Sequence, residues 1–98
     1  MTLPTGWVAY LLRCGDGTLY AGMTNDLRAR LAAHRGESAA RGAKYTRGRG
    51  PFRVAWRQAC ESRSEALRVE WRLKKMTRAE RLSLARSRAK IRLPPAGG

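Results

Sequence analysis

"VAYLLRCGDGTLYAG", residues 8–22, is the stretch whose reading decides the fold. Its first piece belongs to a nearly unbroken apolar, β-rich run from Gly6 to Arg13, the pattern of a strand buried on both faces. Cys14-Gly15-Asp16-Gly17 is a hairpin turn signal, and Thr18 to Gly22 reads as the returning strand. Successive side chains on a strand alternate faces, so the length of the turn decides whether Tyr10 and Tyr20 share one. A two-residue or four-residue loop separates them. A three-residue loop, Gly15 to Gly17, pairs Cys14 with Thr18 and Leu12 with Tyr20, and both tyrosines then face the same way. Loops of this length commonly take a glycine in the left-handed position, so the spacing predicts the odd register.

The rest of the chain extends this hairpin into a small α/β (α+β) domain. In "TNDLRARLAAHRG", Thr24 can cap a helix, Asn25 and Asp26 suit its first turn, and Gly36 can end it. Residues 36–50, "GESAARGAKYTRGRG", hold four glycines and four basic residues against one acid and read as a basic loop. From Phe52 to Cys60, Phe52, Val54 and Trp56 alternate with Arg53, Ala55 and Arg57, which predicts a strand with one buried face. Ser62 with Glu65 and Thr77 with Glu80 have capping-box spacing. They predict helices to about Lys75 and, over 78–90, to about Lys90. The order is β-β-α-β-α-α around a three-stranded, at least partly antiparallel sheet. One domain over 1–92 is expected, with its motifs in 6–75 and a disordered tail over 93–98 headed by Pro94 and Pro95. Trp7, Trp56 and Trp71 are expected in the core.

Charge narrows the function. Twenty-one Lys and Arg against seven Asp and Glu give a formal net charge of +14 over 98 residues. Such an excess repels itself and points to a polyanionic partner, nucleic acid before an acidic membrane surface. No stretch is apolar enough to span a membrane, and "MTLPTGW" lacks the marks of a secretory leader. A cytoplasmic, nucleoid-associated, monomeric protein is the expectation. Cys14 and Cys60 have no neighbouring Cys or His at ligand spacing, which argues against a zinc site and for free thiols.

Several polar residues fall where apolar ones belong. Leu27, Arg30, Leu31 and His34 form one helical stripe at i, i+3, i+4 and i+7, so Arg30 and His34 are aimed at the domain rather than into water. In the next helix Ala66, Leu67, Val69 and Leu73 define the apolar arc and Glu70 falls inside it, with Lys74 available as an i, i+4 partner. An inward carboxylate in so basic a chain is a candidate ligand for a divalent cation, since one carboxylate with waters and a substrate phosphate can hold Mg²⁺. Tyr10, Tyr20, Arg30, His34 and Glu70 can converge where the hairpin meets both helices. They include no Ser-His-Asp or Cys-His set and no phosphate-cradling loop. They suit phosphodiester hydrolysis, which needs a base for water, an arginine for the phosphorane charge and a metal on the leaving oxygen.

These residues resemble the signature of the GIY-YIG nuclease superfamily, in particular the small standalone bacterial UPF0213-type proteins whose domain is related to the excision-repair nuclease. The resemblance rests on Val8-Ala9-Tyr10, then Tyr20-Ala21-Gly22 after nine intervening residues, then the helix from Met23 to His34 with Arg30. "GAKYTRGRGPF" and "SRSEALRVEWRLKK" add to it. It implies a metal-dependent endonuclease acting on DNA, structured or damaged DNA included. Tyr10 and Tyr20 would line the site, one of them as general base or as the group that orients the water. Arg30 would stabilise the phosphate, and His34 would assist the phosphate or the proton transfer. Glu70 would bind one Mg²⁺ or Mn²⁺ at the leaving 3′-oxygen. Lys44, Tyr45, Thr46, Arg47 and Arg49 would contact the DNA backbone. The first triplet is Val-Ala-Tyr rather than Gly-Ile-Tyr, and Ala21 stands for isoleucine. The asparagine that some branches carry after the glutamate has no counterpart, since Asn25 is the only asparagine, and the expectation is a domain that works without an attached specificity domain. A protein partner that supplies specificity fits those departures. So does an alternative function, a non-catalytic nucleic-acid-binding accessory protein that keeps the nuclease fold; a basic module for RNA is a third reading.

Overall fold

Val8, Ala9, Tyr10, Leu11 and Leu12 are each at most 1% exposed, so the first strand is covered on both faces. Such a strand must be central, and β1 (Thr5–Arg13) lies between β2 (Leu19–Asp26) and β3 (Arg53–Ala59), antiparallel to both. The computed structural model describes residues 5–34 and 51–93. The expected basic loop with Lys44, Tyr45, Thr46, Arg47 and Arg49, the expected stop at Gly36 and residues 94–98 of the expected tail lie outside the described residues, whereas Leu93, the first residue of that tail, packs partly buried against the core. Helices α1 (Leu27–His34), α2 (Arg63–Lys75) and α3 (Arg78–Ser87) complete the β-β-α-β-α-α order. The fold is the small antiparallel α+β class that the sequence predicts.

The hairpin has the odd register. Leu12 pairs with Tyr20 and Tyr10 with Gly22. Cys14 N–H donates to Thr18 C=O and Gly17 N–H to Cys14 C=O, which leaves Gly15, Asp16 and Gly17 as the loop. Gly17 takes φ +86°, the left-handed conformation that closes such a loop and that a side chain would strain.

Alternation along β1 sorts the core into two faces. Val8, Tyr10, Leu12 and Cys14 pack with Leu27 and Leu31 of α1, and Ala9 and Leu11 pack with Ala21, with Val69 and Leu73 of α2 and with Leu84 of α3. β3 departs from its expected single buried face. Leu11 pairs with Trp56 but Leu12 with Val54, so one extra residue bulges out at Ala55. Phe52 and Val54 therefore belong to the tyrosine face, whereas Trp56 belongs to the face under α2 and α3.

Two helix boundaries differ from expectation. β2 runs on to Asp26, so the residue that caps α1 is Asp26, whose Oδ1 accepts from Ala29 N–H, rather than Thr24. Ser62 Oγ accepts from Glu65 N–H as expected, and at Thr77 both halves of the capping box form with Glu80. α3 ends at Ser87 rather than Lys90, with Arg88 left-handed. The chain beyond is taken up by other bonds. Trp56 Nε1–H donates to Ala89 C=O at 2.8 Å, Gln58 Nε2–H donates to Ile91 C=O at 3.0 Å, and Ile91 N–H donates to Gln58 Oε1 at 2.7 Å. Ile91 is buried against Trp56 and Leu73 as part of the core. Trp71 is not a core residue. It is 57% exposed on the side of α2 away from Val69 and Leu73, under the Lys75 ammonium at 4.1 Å from the ring. Leu67, 37% exposed, sits beside it. Cys14 and Cys60 are not joined in a disulfide, and among the described residues no helix is long and apolar enough to cross a membrane.

Gln58→Ala is expected to remove both bonds to Ile91 and strand a buried N–H and C=O, a loss of about 2–3 kcal/mol in urea unfolding. A loss under about 0.5 kcal/mol would show that the segment after α3 is not held by this amide.

Candidate active site

β1 and β2 carry the two phenols to one face, and α1, entered directly from β2, lays its inward stripe across them. Leu27 is buried against Leu12 and Tyr10, which fixes the rotation of the helix and turns Arg30 and His34 inward. His34 is 4% exposed and is framed by three rings. Its centroid lies 5.5 Å from Tyr20 and 6.4 Å from Tyr10, both edge-on, and 6.0 Å from Phe52. The Tyr10 hydroxyl and His34 Nε2 are 3.4 Å apart.

The ionisation of this pair follows from its surroundings. Burial pushes the Tyr10 phenol above the usual tyrosine value of 10.0; Arg30 opposes the rise by hydrogen bond and charge, and Tyr20 and Glu70 add to it. Burial first, and the Arg30 charge second, lower His34 below the usual 6.5. At pH 7 the phenol is protonated and the imidazole neutral, so Nε2 can accept the phenol proton. Arg30 is half-buried, and its Nε is a buried donor with no hydrogen-bond partner among the described residues. A cationic donor left in this state is suited to an anion such as phosphate.

Glu70 enters from α2, the helix on the opposite face of the sheet, and its charge is felt at Tyr10. The i, i+4 partner is present. Lys74 Nζ is 3.7 Å from Glu70 Oε1, with the lysine side chain 60% exposed and the glutamate 20%. An ion pair so open to solvent is weak and leaves the carboxylate exchangeable. Among the described residues no three His, Cys, Asp or Glu side chains cluster, and Glu70 is the carboxylate with which a metal could be held here. A hard divalent cation accepts that arrangement when waters and substrate phosphate complete its shell.

Two residues of this site are not apparent as such in the sequence. Gly22 faces Tyr10 across the hairpin, and a Cβ built there would lie 2.5 Å from the phenol oxygen and 2.6 Å from Cζ. The glycine of Tyr20-Ala21-Gly22 is therefore the gap through which the Tyr10 ring reaches. Its position directly opposite a tyrosine was the available signal. Phe52 reaches His34 only because of the bulge at Ala55, and no local pattern announces it. Tyr10, Tyr20, Arg30 and His34 are brought together, whereas Glu70 stands on the helix across the sheet and reaches them only as the smallest of the influences on the Tyr10 phenol. Lys44, Tyr45, Thr46, Arg47 and Arg49 fall outside the described residues.

This hairpin-and-helix arrangement is that of a known catalytic domain. The profile described as the GIY-YIG catalytic domain matches residues 6–83, and the chain belongs to the GIY-YIG family, a family of nucleases. Its relatives are narrower than that. A UPF0213 protein of Nitratidesulfovibrio vulgaris is 49% identical over 78 residues, 79% of this chain and 67% of the relative. A UPF0213 protein of Cupriavidus pinatubonensis is 40% identical over 94 residues, 96% of this chain and 98% of that one. Among solved structures, the solution NMR structure of the UPF0213 protein BH0048 from Bacillus halodurans is 40% identical, with a TM-score of 0.52 over 83% of both chains. The solution NMR structure of protein EF2693 from E. faecalis is 29% identical, with a TM-score of 0.58 over 89% of this chain and 90% of that one.

Gly22→Ala should force the Tyr10 ring from its place at a cost of about 1–3 kcal/mol. In a double-mutant cycle Tyr10→Ala should recover most of that loss, because the clash then has no partner. Additive losses would show that Gly22 serves backbone conformation instead.

Proposed function

We propose that the chain is an endonuclease that hydrolyses phosphodiester bonds in DNA, structured or damaged DNA included, on the tyrosine face of its sheet. The observation that carries this reading is the Tyr10–His34 pair with, beside it, an Arg30 Nε that has no partner among the described residues. Tyr10 is the phenol with a proton acceptor behind it. As water attacks phosphorus, its proton passes to the Tyr10 oxygen while the Tyr10 proton passes to His34 Nε2. Tyr20, half-buried against His34, orients the water. Arg30 neutralises the charge that gathers on the phosphorane oxygens, and the P–O3′ bond breaks. Nucleases of this family are generally dependent on a divalent metal. Mg²⁺ or Mn²⁺ held by Glu70 would supply charge stabilisation at the leaving oxygen.

The Lys74–Glu70 contact favours a second reading, a nucleic-acid-binding protein that keeps the fold without turnover. Cleavage separates the two. Incubated with nicked, flapped and branched DNA, the protein should cut with Mg²⁺ or Mn²⁺ and not with EDTA. Glu70→Ala and Arg30→Ala should each lower the rate by about 100-fold or more, with binding by anisotropy largely kept. If both variants cut like the parent chain, the site is misassigned. No cutting of any substrate would support the second reading.

The His34 shift sets the pH dependence. Because its pKa lies below 6.5, the imidazole stays a proton acceptor through neutral pH and is lost as one only as pH falls beneath that value. The acid limb of kcat should therefore have its midpoint below pH 6.5 and should vanish from the residual activity of His34→Gln.

A further inference from the structure

At the hairpin end of the sheet, on the face turned away from the tyrosines, a groove of about 1040 Å³ opens between α3 and the strands. Leu82 and Ala85 of α3 form its floor, and Arg13, Arg53, Arg78 and Arg86 rim it. Among the described residues no carboxylate lines it. Asp16, in the adjoining turn, has one oxygen engaged by Thr18 N–H. Arg78 donates through Nη1 to Gly17 C=O, which ties the start of α3 to the turn and holds that guanidinium in place.

The odd feature is Arg13 against Arg53. The two are directly opposed across β1 and β3, and both are exposed. Like charges directly opposite on a sheet are destabilising, and nothing in the fold of the described residues offsets these two. An anion between them would turn the repulsion into two attractions. Arg13 stands three residues beyond Tyr10 on β1, about 10 Å along the strand. Because the groove opens on the other face, a DNA strand engaged at the tyrosines reaches it by rounding the hairpin end of the sheet.

We infer that this groove is a second phosphate-binding site, which grips the backbone of the same DNA whose scissile bond lies at the tyrosine face. The inference takes DNA as substrate from the reading above and adds where, apart from the catalytic residues, the strand is held. Arginine suits the task because its planar fork meets phosphate oxygens two at a time. The grip carries no base readout, so it adds affinity and salt dependence without sequence preference.

The test is binding of the full chain to a labelled 20-base-pair duplex by anisotropy across a salt series, with melting temperatures alongside. Arg13→Gln/Arg53→Gln is expected to weaken binding about tenfold or more and to flatten the slope of log K against log salt by about 1.8, two phosphate contacts at about 0.9 each. The same variant should melt about 2–4 °C higher than the parent, because the repulsion has been removed. Arg13→Lys/Arg53→Lys should keep most of the slope. Arg86→Gln, at the exposed end of α3, probes the groove without touching the sheet and should flatten the slope by about 0.9. At saturating DNA the cleavage rate should be unchanged in all three, with the loss confined to KM. An unchanged slope in the double variant and in Arg86→Gln overturns the inference, as does a fall in melting temperature with binding intact, which would make the arginines braces of the hairpin. The two proposals fail separately. Cutting with an unchanged slope leaves the catalytic reading and removes the groove; a flattened slope with no cutting by the parent leaves the groove and removes the catalysis.

Discussion

Gly17 closes the hairpin in a left-handed turn, and the three-residue loop it makes possible sets the parity of everything that follows. With an odd loop, Leu12 meets Tyr20, Tyr10 meets Gly22 and both phenols stand on one face. One residue more or fewer would send the second phenol under α2. The same parity decides where the basic side chains go. Arg13, an odd number of positions from Tyr10, is obliged to leave from the opposite face, and Arg53 follows it through strand pairing. One turn thus places the aromatic face and the arginine-rimmed groove back to back on a single sheet.

The polar interior is arranged so that few groups carry charge. The phenol of Tyr10 is held protonated and the imidazole of His34 neutral, both mainly by burial, and the cation among them, Arg30, keeps a donor unpaired. Three rings around His34 leave it little room to turn, so its orientation does not depend on one long hydrogen bond. Among the described residues most of the other cations are exposed, where solvent screens them, which eases the self-repulsion of a chain with a net charge of +14.

Much of this was legible in sequence because it is local. The turn, the stripe that turns Arg30 and His34 inward, and the caps at Ser62 and Thr77 each depend on residues within a few positions of one another. What escaped is long-range. Phe52, Val54 and Trp56 read as one alternating face, yet pairing with β1 bulges Ala55 and sends Trp56 to the far side. Lys90 continues a helical pattern, but hydrogen bonds from Trp56 and Gln58, about thirty positions away, hold the chain after Ser87 in another conformation. Trp71 looked like core by composition alone; the helix periodicity that buries Val69 and Leu73 puts it in solvent. Gly22 was visible as a letter in a motif, and only strand pairing shows that it is there for lack of a side chain.

The tryptophans, unhelpful as guides to the fold, give the molecule a built-in optical readout. Trp56 is buried with its indole N–H bonded to Ala89 C=O, whereas Trp71 stands in water beneath the Lys75 ammonium. Their emission differs accordingly, Trp56 toward the blue and Trp71 toward the red. An anionic quencher such as iodide, concentrated by the positive field, reaches the second and not the first. With Trp7, half-buried on β1, replaced by phenylalanine, fluorescence from one unlabelled sample separates two events, the release of the segment after α3 from the sheet and any change on the outer surface of α2.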